Sequence, residues 1–221
     1  AELRATGLDW TFAPTLAVPQ DDRWGRTYEG YSENPEVVAS YARPLVEGLQ
    51  GKVGDDDFLA PTRVIATAKH FIGDGGTRDG RDTGDTQVSE AMLRDVHGAG
   101  YVPALQAGAQ SVMASFSSWN GAKMHGNKSL LSDVLKQRMG FDGFVVGDWN
   151  AQGQLPGCTN TDCPQAFNAG VDMMMTPDTW KGYYETTLQH VKSGRITMAR
   201  LDDAVTRILR VRMRAGLFEA G

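Results

Sequence analysis

The chain has 221 residues, 41% of them hydrophobic and 22% charged, with a formal net charge of −5. That length buries a sizeable core, and the composition is that of a globular domain. The mild acidity gives no electrostatic case for nucleic acid or an anionic membrane, and no apolar run approaches the ~20 residues of a membrane span.

The first seven residues read as the last turns of a helix ending at Gly7, with no basic-then-apolar signal peptide. A natural start rarely falls inside a helix, so the chain is expected to be part of a larger protein. Residues 8–13 read as a strand ending at Pro14. Asn34 and Pro35 then supply an N-cap and a first helical residue. Val37, Val38, Tyr41, Leu45 and Leu49 give that helix its apolar face, and Pro44 predicts a kink.

Residues 63–68 read as a second strand that delivers Lys69 and His70 at its end. The Gly- and Asp-rich stretch 73–85 is too polar for core and too long for a tight turn; such loops are usually functional or mobile. A helix follows over 89–106, broken near Gly98, Gly100 and Pro103. Residues 111–116 form a third strand. Leu130, Leu131, Val134, Leu135 and Met139 mark another helix.

The stretch Gly140-Phe141-Asp142-Gly143-Phe144-Val145-Val146-Gly147-Asp148-Trp149 carries the most information. A turn leads into a short apolar run that ends at a carboxylate followed by an indole. Such a run reads as a buried parallel strand, and in strand-helix barrels the carboxyl ends of strands open onto the active site. Asp148 therefore stands at a catalytic address, unless it only caps the next helix. Residues 166–169 read as a short helix and 171–175 as a fifth strand whose methionines fill core. The last helix uses Leu201, Ala204, Val205, Ile208 and Leu209, with Gly216 as its C-cap and Leu217 beyond.

Alternating strands and helices predict an α/β fold with a parallel sheet. About five strand-helix units are readable where a closed (β/α)8 barrel needs eight strands, so an incomplete barrel is expected, forming one partial domain over 1–221. Cys158 and Cys163 sit in one loop without a nearby His, which disfavours a metal site. They are two free thiols or a local disulfide; the latter implies an oxidising compartment.

Several groups are candidates for chemistry. Lys69 is placed to bind hydroxyls or to form a Schiff base, as in a lyase or aldolase. His70 beside it is a donor, an acceptor or a base. Arg26, in a loop with Trp24, clamps a hydroxyl or a carboxylate. Glu29, Glu33 and Glu36 read as solvent-facing. The third strand ends in a mouth rich in hydroxyls and aromatics (Ser115, Phe116, Ser117, Ser118, Trp119) that suits a sugar. Glycoside hydrolysis uses two carboxyl groups, one ionised and one protonated. Lys69, His70 and Arg26 would keep Asp148 ionised. Asp74, Asp79, Asp82 and Asp85 are the available acids, but none has an apolar setting that would raise its pKa.

Arg23-Trp24-Gly25-Arg26 with Glu29, Ala68-Lys69-His70-Phe71 with Gly73-Asp74-Gly75, Ser118-Trp119-Asn120-Gly121 and the Asp148 stretch resemble, in order, the blocks of glycoside hydrolase family 3. Ala169-Gly170-Val171-Asp172-Met173 and the closing Arg207-Ile208-Leu209 with Gly216-Leu217-Phe218 resemble it too. The likeness covers essentially the whole chain and is strongest to bacterial periplasmic β-glucosidases and exo-glucanases.

The resemblance implies a retaining enzyme that releases glucose from the non-reducing end of β-glucans or β-glucosides, with Asp148 as nucleophile. Arg26, Lys69 and His70 would bind glucose hydroxyls, and Met113 and Trp149 would line that subsite. The acid/base Glu would come from a following α/β domain, and another glucose-binding Asp from upstream strands. The chain alone is therefore expected to turn over poorly. No cofactor or metal is implied, and the location would be periplasmic or secreted. Residues 73–85 lack the His that serves as acid in relatives cleaving N-acetylhexosaminides. Phe116 stands where many relatives have Tyr, and Gly147 where Ser is common. A non-catalytic carbohydrate-binding relative is the rival from a different class.

Overall fold

The computed structural model describes residues 2–219. Helix α1 (Glu2–Ala5) is followed by an extended segment, then α2 (Pro35–Gln50), β1 (Thr67–Phe71), β2 (Asp85–Thr86), α3 (Glu90–Met92) and α4 (Tyr101–Gln106). Next come β3 (Ser111–Ala114), β4 (Ser118–Trp119), β5 (Ala122–Lys123), a wide-turned helix (Ser129–Arg138) and β6 (Phe144–Val146). Helices α5 (Pro164–Ala169), α6 (Trp180–Lys192) and α7 (Met198–Arg214) complete the order.

The main sheet has the order β1-β3-β6 and is parallel throughout, with Thr67 opposite Ser111 and Met113 opposite Val146. Bridges Trp10–Ile65 and Thr15–Lys69 add the early segment on one side, and Val146–Met173 adds a later one on the other, all parallel. Five segments thus lie side by side in chain order, with helices in each crossover, as an α/β alternation requires. Among the described residues the sheet does not close on itself.

The two faces of the sheet bury different residues. Ala68, Val112, Ala114, Val145 and Val171 pack with Val38, Ala42 and Val46 of α2 and with Leu131 and Leu135. Ile65, Met113, Phe144 and Val146 form a second cluster with Val211 and Ile208 of α7. Side chains alternate along a strand, so Asp148, two residues beyond Val146, belongs to the second face. Met173 and Met175 pack on that cluster and Met174 on the first, which makes the methionines core.

Local expectations are met unevenly. Asn34 Oδ1 accepts the Glu36 N–H at 2.8 Å with Pro35 at the first position. The buried stripe of α2 is Val38, Ala42, Val46 and Gln50, however, and Tyr41 is exposed. Gln50 is buried because its amide replaces backbone partners, accepting from Ala66 N and donating to Gly108 O. The helix runs unbroken over Pro44. Its neighbour over 89–106 does break, at Gly98–Gly100. The early strand does not end at Pro14. Pro14 lacks an N–H and interrupts the ladder, yet Leu16 N still donates to Lys69 O. Lys69 and His70 lie inside β1 rather than past its end. In α7, Ala204 and Val211 are buried, while Val205 and Leu209 are exposed. Gly216 has a positive φ, and Leu217 N reaches Arg212 O, closing the helix as expected.

Candidate active site

Arg26 opens a short turn over Thr27–Glu29, held by Glu29 N donating to Arg26 O. One turn brings Glu29 back onto Arg26. Arg26 Nε donates to Glu29 Oε1 at 2.8 Å and Nη2 to Oε2 at 2.9 Å, a bidentate pair. Lys69 Nζ lies 4.0 Å from the same carboxylate. Glu29 is therefore not the solvent-facing residue expected. Hydrogen bonding from Arg26 holds its carboxyl below the usual range against the opposing effect of burial, with the Arg26 and Lys69 charges adding to it.

His70 is buried on β1. Its Nδ1 lies 2.8 Å from Asp74 Oδ2, and its Nε2 lies 3.2 Å from Arg26 Nη2. Guanidinium can only donate, so Nε2 accepts and Nδ1 donates to Asp74. Asp74 is thus a buried positioning group and not a loop acid. The rest of 73–85 is drawn in only in part. Thr77, Gly80 and Thr86 are buried, and Asp82 Oδ1 accepts from Trp24 Nε1 at 2.9 Å. Gly80 has φ +63, and a Cβ there would come within 2.7 Å of Trp24 N. Part of this loop is thus buried where its polarity suggested none, while Arg78, Arg81, Asp82 and Thr83 stay exposed. Asp85 accepts from Ser118 Oγ and Gly121 N, bonds that together outweigh burial and lower its pKa. Asp79 remains exposed.

Asp148 stands at the carboxyl end of β6 with its side chain 18% exposed. Its Oδ2 lies 3.9 Å from His70 Nε2. Its Oδ1 accepts the Trp149 N–H at 2.7 Å, and its own N–H donates to His125 Nε2 at 2.9 Å. Arg26, His70 and Asp148 are therefore brought together, with Lys69 joined through Glu29. Trp149 is 57% exposed beside Asp148. Met113 is buried in the second cluster. Phe116 offers its carbonyl and ring face to Lys123. Cys158 and Cys163 are joined as a disulfide.

Two contributors escaped the sequence reading, Glu29 and His125. The first had a signal in its i, i+3 spacing from Arg26. The second had one in Asn120-Gly121, the dipeptide of a tight hairpin turn. Both residues of that dipeptide have positive φ and join β4 to β5, which returns the chain to the site. Among the described residues no group of three or more His, Cys, Asp or Glu is arranged to hold a metal, and no helix is long and apolar enough to cross a membrane.

The profile of the glycosyl hydrolase family 3 N terminal domain matches residues 1–211. The chain belongs to that family. It is 33% identical to the periplasmic beta-glucosidase of Salmonella typhimurium, over 96% of this chain and 28% of that protein. It is 36% identical to the beta-xylosidase of Formosa agariphila, over 99% of this chain and 32% of that one. The structure of exo-1,3/1,4-beta-glucanase from a Pseudoalteromonas species superposes with a TM-score of 0.98 at 55% identity, covering 100% of this chain and 27% of that one. The chain thus spans roughly a third or less of these relatives.

Proposed function

We propose that this chain is part of the catalytic barrel of a retaining β-glucosidase or exo-β-glucanase, with Asp148 as nucleophile. The observation that carries the reading is the 3.9 Å approach of Asp148 Oδ2 to His70 Nε2, inside a ring of groups that Arg26, Glu29 and Asp74 hold in place. Oδ2 accepts no hydrogen bond from the described residues and so keeps a lone pair for the anomeric carbon. In the first step Oδ2 bonds to that carbon while the glycosidic C–O bond breaks, and an acid protonates the leaving oxygen. In the second step water, deprotonated by the same group, releases the sugar and restores the carboxylate. Arg26, Lys69 and His70 bind the hydroxyls of the terminal glucose, and exposed Trp149 offers an aromatic face to the sugar beside it.

Each loop carboxylate near the site is already engaged or exposed, which agrees with an acid supplied by a following α/β domain. The names of the relatives support a β-linked substrate. One Listeria innocua β-glucosidase structure, 31% identical and with a TM-score of 0.85, is described as a complex with glucose. Two relatives are named periplasmic, and the Cys158–Cys163 bond fits an oxidising compartment such as the periplasm or the exterior.

A mechanism-based 2-fluoroglucoside should label Asp148 in the full-length protein. Label on another residue, with Asp148→Asn still active, would overturn the reading. Sugar binding by the full-length protein without turnover would favour the non-catalytic rival.

A further inference from the structure

The β3–β6 ladder stops at the pair Met113–Val146. Beyond it the Asp148 N–H does not reach the β3 backbone. It donates to His125 Nε2 at 2.9 Å, and His125 Nδ1 lies 3.0 Å from Ser115 O. A carbonyl only accepts, so Nδ1 carries the proton and Nε2 the lone pair; one tautomer serves both bonds. The imidazole replaces a backbone bond where the two strands part. The path continues, because Ser115 N donates to Phe71 O on β1. One side chain therefore ties the backbone of Asp148 to the strand that carries Lys69 and His70.

The ring is built into the fold. His125 is 2% exposed, and its neighbour Met124, fully buried, anchors the turn in the core. Met124 N also donates to Ser117 O, fixing the turn to the hairpin base. A Cβ on Gly147 would lie 3.3 Å from His125 Nε2, so the ring is flush against the peptide that precedes Asp148. Burial pushes the imidazole down to about 4, against the pull of the Asp148 carboxylate. Lys123 and His70 are the other charged or titratable groups acting on it. The acceptor lone pair thus persists through neutral and mildly acidic pH.

We propose that His125 is a positioning residue for the nucleophile, its Nε2 fixing the Asp148 backbone so that the carboxylate meets the anomeric carbon in line. The inference rests on Asp148 being that nucleophile. Two substitutions separate the ring's two bonds. In His125→Gln an amide oxygen reaches the Nε2 position and can still accept from Asp148. In His125→Asn the side chain reaches only the Nδ1 position, so Asp148 loses its acceptor.

The test measures the rate of Asp148 labelling by a 2-fluoroglucoside, with kcat and glucose inhibition, in the full-length protein. The expected result is a labelling rate and kcat about tenfold to a hundredfold lower in His125→Asn, because a small misplacement of a reacting group costs that much. Glucose inhibition should be nearly unchanged, and His125→Gln should recover most of the rate. Equal rates in the wild type and both variants, or equal losses in both, would overturn this inference alone. Wild-type label on a residue other than Asp148 would overturn the nucleophile assignment with it. If His125→Asn does not fold, His125→Gln decides: a loss as large as a hundredfold would overturn the proposal.

Discussion

Asp148 and Asp172 lie on neighbouring segments of one sheet, both among cations, yet their surroundings differ in kind. Asp172 has a fully buried side chain. Its Oδ1 accepts from Lys136 Nζ at 2.7 Å and Arg200 Nη2 at 2.8 Å, and its Oδ2 from Val145 N at 2.8 Å. Arg200 also donates to Phe167 O and Val171 O, and Asp203 bridges Lys136, Arg200 and Arg207. Arg207 in turn caps the carbonyls of Phe141 and Gly143. Asp148 has one free oxygen, partial exposure and the His70 imidazole at 3.9 Å. A saturated carboxylate holds a fold together; an unsaturated, partly exposed one is available to react.

The largest effect that would break this contrast belongs to Asp148. Asp148→Asn in the full-length protein should lower kcat by about 10⁴-fold or more, the scale seen when a nucleophilic group is removed. Its unfolding free energy should move by less than about 0.5 kcal/mol, because the backbone N–H to His125 survives and the side chain is partly exposed. Steady-state kinetics and denaturant unfolding check the two halves. A variant that stays active, or one that unfolds, would erase the distinction.

Asp172→Asn should do the opposite. Removing one member of a buried network leaves charge without a partner, at a cost of about 3–5 kcal/mol. Burial already pushes the Lys136 ammonium down, with the Asp172 charge opposing it, so the lysine depends on this partner. Denaturant melts should show the loss, while kcat per folded molecule should stay near the wild-type value.

The sequence made one side of this contrast more legible than the other. The apolar run Phe144–Val146 followed by Asp148 could be read because a buried strand is a local pattern and its end is a fixed address. The N-cap at Asn34 and the break at Gly98–Gly100 are also local. The partners of these groups are not. Glu29 meets Lys69 only through the register of a loop on a strand forty residues away, and only its i, i+3 spacing from Arg26 sets it apart from the exposed Glu33 and Glu36. Asp172 looked like one residue of a motif until α7 brought Arg200 to it. The α2 stripe slipped for a related reason: the pattern counted apolar residues, while packing chose Ala42 and the hydrogen-bonded Gln50. Loop 73–85 misled in part, because polarity alone does not say which of its residues packing will bury.

Acid titration should sharpen the contrast by separating the two regions. His125 is held at about 4 by burial, and His97 is lowered by burial against the pull of Asp74. Below pH ~6.5 the unfolded chain binds protons at these rings that the folded chain refuses, so stability falls with pH, for His125 until about pH 4. His125 alone contributes roughly 3 kcal/mol to that fall. Asp142 is lowered chiefly by its bond from Arg214, and Asp203 by bonds and charges that outweigh burial. Their stabilising effect is present above the normal carboxylate pKa and is lost only at lower pH. Unfolding free energies measured from pH 7 to 3 should therefore decline in two stages. His125→Gln should shrink the first and leave the second; an unchanged first stage would place its origin elsewhere.

The smallest effect tests whether position or charge count decides strength within the network. Asp203 touches three cations, Lys136, Arg200 and Arg207, where Asp172 touches two. Its side chain is 39% exposed, however, and that of Asp172 is fully buried. Water screens the outer carboxylate and can replace it as a partner for the guanidinium groups. Asp203→Asn should accordingly cost about 1 kcal/mol or less, even though more ion pairs are removed. Arg207 would keep its bonds to Phe141 O and Gly143 O, and Lys136 its bond to Asp172. If denaturant melts gave Asp203→Asn a loss as large as Asp172→Asn, the number of partners would outrank burial. The saturation argument that separates Asp172 from Asp148 would then need a different physical basis.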